Sequence, residues 1–279
     1  MTSPWRLIVD EAEDGAFNMA VDEAILEAYE GDRGGKSPTL RLYSWNPATV
    51  SLGKSQEFGG SHDRAAALRQ GIGLVRRPSG GTAVLHEFER TYAVVGSLTQ
   101  PPFTSGIVEA YRAIAGALTL GLRRLGIAAA AGAPRRGSSP RTEAFCFERT
   151  GEWEIEASGR KLVGAAQIRR RAAVLQHGSI PIRLDPARLD AVFGRRVDGS
   201  RFIDVTTAAG HTIEPDALDR ACVSGFEEAF RVKLVPGALA PGEAARAAEL
   251  RCWKYDSVAW TRDGVIGPRE SRWGPALAR

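Results

Sequence analysis

EWEIEASGRKLVGAAQ, residues 152–167, decides the reading of this chain. Glu152, Glu154 and Glu156 alternate with Trp153, Ile155 and Ala157, the period of a strand with one buried face. Ser158-Gly159 turns the chain, and residues 160–167 return as a second strand, with Lys161 opposite Glu156. Gly164, Ala165 and Ala166 leave room for another backbone or a ligand to come close. Around this hairpin stand Cys146, between Phe145 and Phe147, and the step Gln176-His177-Gly178-Ser179.

Cys146 has two readings. The thiolate is the nucleophile, and a free thiol with a pKa of about 8.5 is only slightly ionised at neutral pH, so a nearby ammonium would raise its reactivity. A continued hairpin places Cys146 opposite Arg171, so Lys161 reaches it only if residues 148–151 fold the cysteine back. The other reading is a small core hydrophobe.

The chain has 279 residues, 43% of them hydrophobic, enough for a sizeable core and at most two domains. No apolar run approaches the roughly 20 residues of a membrane helix, and the start MTSPWRLIVDEAEDG lacks a signal-peptide layout, so a cytoplasmic location is expected. Cys146, Cys222 and Cys252 are too few and too scattered for a disulfide framework or a zinc site, and no metal is expected. A net charge of +4 argues neither for nucleic acid nor for a membrane surface as partner. Arg135, Arg136, Arg141 and 169–171 flank the proposed site and suit an acidic protein partner.

Further strands are expected at residues 5–9, 39–45, 49–52, 74–75 and 91–97, and helices at 15–29, 62–70, 105–125, 186–192, 216–232 and 241–253. The helix at 15–29 turns Asp22, Glu23 and Glu27 to a polar face, and Cys222 falls on an apolar face as core packing. Residues 128–141 read as a low-complexity loop, and those after 253 as a less regular tail. Ser79-Gly80-Gly81 exposes backbone amides that can hold a carboxylate, carbonyl or phosphate, with Arg76 and Arg77 adding charge; the same residues also suit a plain turn. Short strands with helices between and after them indicate an α+β fold on a mixed or antiparallel sheet flanked by helices.

The order of motifs resembles the biotin and lipoate ligase superfamily, and within it the M-type octanoyltransferases. The resemblance rests on Asn18-Met19-Ala20-Val21-Asp22-Glu23-Ala24, on residues 41–53 and on Arg76-Arg77-Pro78-Ser79-Gly80-Gly81-Thr82-Ala83-Val84-Leu85-His86. It continues through residues 159–167, Gln176-His177-Gly178-Ser179 and Lys254-Tyr255-Asp256-Ser257-Val258-Ala259-Trp260. The resemblance implies a biotin/lipoate protein ligase-like catalytic domain over residues 1–235 and a helical C-terminal extension over 236–279.

It further implies transfer of an octanoyl group from octanoyl-acyl carrier protein to a lysine of a lipoyl domain, such as that of the glycine cleavage system H protein, with no cofactor. In such enzymes the cysteine that carries the acyl group stands shortly before the lysine motif. That position is Cys146, fifteen residues ahead of Lys161. Cys146 and Lys161 are thus the catalytic pair that the resemblance implies, and Arg76, Ser79, Gly80, Gly81, His86, Gly164, Ala165, His177 and Gly178 are the expected substrate-binding residues. Backbone amides near Gly80-Gly81 or Gly164-Ala165 would stabilise the oxyanion. Two departures, Gly53-Lys54-Ser55-Gln56 and Thr82, leave a lipoate ligase using ATP and Mg as the alternative.

Overall fold

A computed structural model describes residues 3–30, 36–58, 70–132 and 154–266. The expected helix at 62–70, apart from its last residue, lies outside the described residues, as do Cys146, Arg135, Arg136 and Arg141.

The chain opens with β1 (Trp5–Glu13), α1 (Gly15–Glu30), β2 (Thr39–Trp45) and β3 (Thr49–Leu52). β4 (Gly73–Arg76), β5 (Val84–His86), β6 (Glu89–Ser97) and α2 (Ile107–Arg124) follow. Next come β7 (Ala129–Ala131), β8 (Ile155–Ala157), β9 (Arg160–Arg170) and β10 (Ala173–Pro181). The last third holds α3 (Pro186–Phe193), α4 (Val205–Ala209), α5 (Pro215–Phe230), β11 (Leu234–Pro236), α6 (Pro241–Leu250) and α7 (Val258–Asp263).

Among the described residues the large sheet has eight strands in the order β11-β1-β2-β6-β10-β9-β8-β7. β1 pairs in parallel with β2 and β11, and the other pairings are antiparallel. β3, β4 and β5 make a second, small sheet. The sheet is therefore mixed and flanked by helices, an α+β fold as the sequence pattern indicates.

β6 shows why helices cover both faces. All nine of its residues are buried, with Tyr92 and Val94 facing one core and Ala93 and Val95 the other, so each face of the strand must be shielded from water. α2 and α5 close the first face, through Ile114, Leu118 and Leu122 against Cys222 and Phe226. α1 and α6 close the second. Cys222 is fully buried, as its apolar spacing indicates, and burial beside Asp219 pushes its thiol up to about 12.

The hairpin at residues 155–170 has the expected register, with Glu156 opposite Lys161 and Ala157 opposite Arg160. Ser158 and Gly159 both take positive φ, 52° and 70°, which suits the right-handed twist of the flanking strands. Two expectations are corrected. Ala129–Ala131 is not loop but an edge strand on β8, because the hairpin leaves an open edge for it to pair with. Residues 254–263 are not irregular either: Arg251–Tyr255 forms a π-helical turn and α7 follows, capped by Ser257, whose side chain accepts from the Trp260 amide.

The α2–α5 contact depends on glycines. A Cβ at Gly225 would lie 2.2 Å from the Ala117 carbonyl oxygen, and one at Gly121 would lie 2.5 Å from that of Ala221. Gly116, on the same helix as Gly121, has open space where its Cβ would be. Gly225→Ala should therefore cost about 1–3 kcal/mol by overpacking, whereas Gly116→Ala should be neutral or stabilise by up to about 1 kcal/mol. Urea unfolding of the two variants checks this, and equal midpoints would contradict the contact.

Candidate active site

A cavity is walled by both sheets. Met19 of α1, Tyr43 and Trp45 of β2, and Thr91 of β6 line one part. Ser51, Arg77, Gly81, Val84 and His86 line another, and Gly164, Ala165, Ala166, His177, Gly178 and Ser179 complete it from β9 and β10. The loop before β5, Pro78-Ser79-Gly80-Gly81-Thr82 (the signature loop), is held close: a Cβ at Gly53 would lie 1.9 Å from the Gly81 carbonyl oxygen, so no side chain fits there, and Gly81 itself has φ 93°.

Two histidines face this space, and each stands between a carboxylate and a serine. His177 Nδ1 lies 2.9 Å from Asp22 Oδ2, and its Nε2 lies 2.5 Å from Ser79 Oγ. Asp22 is fully buried, and Arg41 Nη1 and the Tyr43 hydroxyl donate to it at 2.8 and 2.9 Å. Burial alone would raise the Asp22 carboxyl, but hydrogen bonding to His177 and the Arg41 charge outweigh it and hold the group below its ordinary range. As an ionised acceptor, Asp22 selects the His177 tautomer with a proton on Nδ1, so Nε2 accepts from Ser79. Tyr43 is pushed well above its usual value by burial, with the Asp22 charge adding to the effect, so it stays a donor.

The second histidine repeats the pattern. His86 Nδ1 lies 2.9 Å from Glu89 Oε1, and its Nε2 lies 2.8 Å from Ser51 Oγ. Arg77 Nη1 donates to Ser51 Oγ at 3.1 Å, which directs the serine proton at His86 Nε2. Glu89 also accepts from Thr91 Oγ1 and Ser179 Oγ, while the Trp45 ring stacks on His86 with centroids 4.0 Å apart. The His86-x-x-Glu89 spacing is the only local signal for this arrangement. The local sequence gives no role to Ser51 or Thr91, Ser179 is marked only as part of the Gln176-His177-Gly178-Ser179 step, and helical periodicity puts Asp22 on a polar face.

That expectation for the polar face is corrected, since Asp22 and Glu23 both point into the protein. Glu23 accepts from Lys254 Nζ at 2.6 and 2.8 Å and from the Tyr255 hydroxyl, and pairs with Arg170. Burial would raise its carboxyl, but the Lys254 and Arg170 charges hold it below the usual range. Arg170 is thereby committed within the chain, and Arg169 donates to the Gln167 side chain and to the Gly106 carbonyl.

The remaining expected residues divide. His86, His177, Gly81, Gly164, Ala165 and Gly178 line the cavity. Ser79 does not, but anchors His177. Gly80 stands outside the lining, its carbonyl accepting from Arg77 Nη2 at 2.7 Å. Arg76 also stands outside it, because its guanidinium donates to the carbonyls of Gly53, Lys54, Gln56, Trp260, Thr261 and Arg262; Arg77 is the arginine that reaches the site. Lys161 is buried, with Nζ 2.6 Å from Glu154 Oε1, and does not line the cavity. Its backbone is held by Arg201 and Ile203. Cys146 lies outside the described residues. Among the described residues no His, Cys, Asp and Glu cluster suits a metal ion, and no helix is long and apolar enough to cross a membrane.

Residues 14–227 match the model of the lipoyl protein ligase A/B catalytic domain. The chain belongs to this family. An octanoyltransferase LipM of Kyrpidia tusciae is 39% identical over 92% of this chain and 97% of its own. A lipoate-protein ligase A bound with ATP superposes with a TM-score of 0.79 at 27% identity, over 94% of this chain and 99% of that one. A bipartite lipoate protein ligase from Thermoplasma acidophilum, studied with its E2 lipoyl domain, gives 0.77 at 25% identity, over 96% and 100%. The fold is thus that of the lipoate ligases, and the chain is an enzyme, an acyltransferase.

The Asp22 cluster generates a test of stability. Asp22→Asn leaves the buried Arg41 short of a charge partner and should cost about 3 kcal/mol in urea unfolding. Because the Asp22 and Glu23 carboxyls sit below their unfolded values, their contribution is full above about pH 4.5 and is lost as pH falls through the folded values. Wild-type stability should therefore drop on acidification below that point, and the variant should drop by less.

Proposed function

We propose that this enzyme takes an octanoyl group from octanoyl-acyl carrier protein onto Cys146 as a thioester and passes it to a lysine of a lipoyl domain, in lipoate biosynthesis. Octanoyl transfer has its support in the M-type octanoyltransferase relatives. The observation that carries the reading is the cavity itself, where Met19, Val84, Gly164, Ala165 and Ala166 offer an alkyl chain an apolar lining next to hydrogen-bonding groups.

The chemistry has two displacements. The Cys146 thiolate attacks the octanoyl carbonyl, a new carbon–sulfur bond forms, and the carrier's thiolate leaves and takes up a proton. The acceptor amine then attacks, the carbon–nitrogen bond forms, the thioester breaks and Cys146 returns as thiolate or thiol. Lys161 supports the thiolate in this reading, its strand position fixed by the hairpin. Neither described cysteine competes for the role: Cys222 is buried with its thiol pushed up, and Cys252 is exposed and outside the cavity lining. Residues 1–235 form the catalytic domain in this reading, and the helices of residues 236–279 are its extension. The ion pairs Arg6–Glu243 and Lys254–Glu23 support their seating on β1 and α1.

Intact-mass measurement after mixing with octanoyl-acyl carrier protein should show one added octanoyl group in the wild type and none in Cys146→Ala. Adding a lipoyl domain should discharge the adduct. Cys146→Ala should lower transfer by roughly 10³-fold or more, and Lys161→Ala should recover part of its rate as pH rises toward about 8.5. Full activity of Cys146→Ala with ATP and free octanoate would replace this reading by that of a ligase.

A further inference from the structure

The two histidine relays end differently. Ser79, at the end of the Asp22–His177 relay, lies off the cavity, so that relay closes on the protein and fastens the signature loop to β10. Ser51, at the end of the Glu89–His86 relay, lines the cavity. Its oxygen accepts from Arg77 and its proton is directed at His86, which leaves one lone pair of the hydroxyl for a further donor.

We propose that Ser51 and His86 form the proton path that deprotonates the acceptor lysine in the second displacement, with Glu89 and Arg77 as positioning residues. The inference rests on the thioester reading above. A lysine side chain, with an ordinary pKa of about 10.4, arrives as an ammonium and has no lone pair until it gives up a proton. An N–H of that ammonium donates to Ser51 Oγ. As it transfers, the Ser51 proton passes to His86 Nε2, the imidazolium is stabilised by Glu89 through Nδ1–H, and the neutral amine attacks the thioester carbonyl. The second amine proton leaves with the returning Cys146 thiolate, and His86 returns its proton to solvent. Ser51 neither attacks nor is acylated.

Glu89 suits this task because its other partners, Thr91 and Ser179, are neutral hydroxyls, so its charge remains available to an imidazolium. Asp22 differs, as Arg41 already neutralises it. The acid beside His86 is thus the one placed to balance a proton arriving from substrate.

The test starts from isolated octanoyl-enzyme and compares two nucleophiles, a lipoyl domain and hydroxylamine, which is neutral at pH 7 and needs no base. In His86→Gln and Ser51→Ala, discharge by the lipoyl domain should fall by roughly 100-fold relative to discharge by hydroxylamine. Glu89→Gln should show a smaller fall of the same ratio. Equal losses with both nucleophiles, or an unchanged ratio in Ser51→Ala, which removes only a hydroxyl, would overturn the proton path. An octanoyl adduct on Ser51 in place of Cys146 would overturn it as well. Absence of any acyl-enzyme in the wild type would overturn the thioester reading and this inference together, which separates the two failures.

Discussion

The buried contact between Arg41 and Asp22 is the interaction on which the rest of the site depends. Arg41 comes from β2 and Asp22 from α1, and neither side chain is exposed. Taking two such charges out of water costs several kcal/mol per ion unless their remaining hydrogen-bonding capacity is met. Here it is met in detail. Arg41 also donates to Asp10, to the Asn18 carbonyl and to Asn18 Oδ1, and Asp22 receives Tyr43 and His177 as well. The network ties α1 to β2 and β10, and through Ser79 it reaches the loop before β5. A polar cluster satisfied in this way is specific in geometry, because a shift of any one element would strand a buried charge.

The same logic is repeated at the other side of the cavity with different consequences. Arg77 donates to the carbonyls of Ser51, Gly80 and Thr82, which clamps the turn of the signature loop onto β3. Arg76, the last residue of β4, instead gathers the carbonyls of Gly53, Lys54, Gln56, Trp260, Thr261 and Arg262. Two adjacent arginines thus serve two layers. One organises the cavity, and the other fastens α7 to the small sheet, helped by Trp260 Nε1 donating to the Arg76 carbonyl at 2.8 Å.

Local chemistry in the sequence determined a good deal of this protein. The alternation of 154–157, the Ser158-Gly159 turn and the return strand set the hairpin, and the three- and four-residue spacing of Ile114, Leu118 and Leu122 set α2. The motifs at Asn18, Arg76 to His86 and Gly159 to Gln167 also determined the family, since each keeps its residues within a short window. The small residues Gly164 to Ala166 were legible as a place of close approach for the same reason.

Tertiary structure alone decided which charges face inward and which histidine meets which acid. Asp22 and His177 are 155 positions apart, and Ser79 and His177 are 98 apart. Periodicity says only that a helix has a polar face; whether that face meets water or an arginine depends on which strand lies beneath it. Asp22 and Glu23 looked solvated because the partners that bury them, Arg41, His177 and Lys254, come from β2, β10 and the turn after α6. The same holds for Ser51, an ordinary strand residue until antiparallel pairing of β3 with β5 and the reach of Arg77 place it against His86. Layer packing and the pairing of strands far apart in sequence fix such contacts, and neither is written in any local stretch of chain.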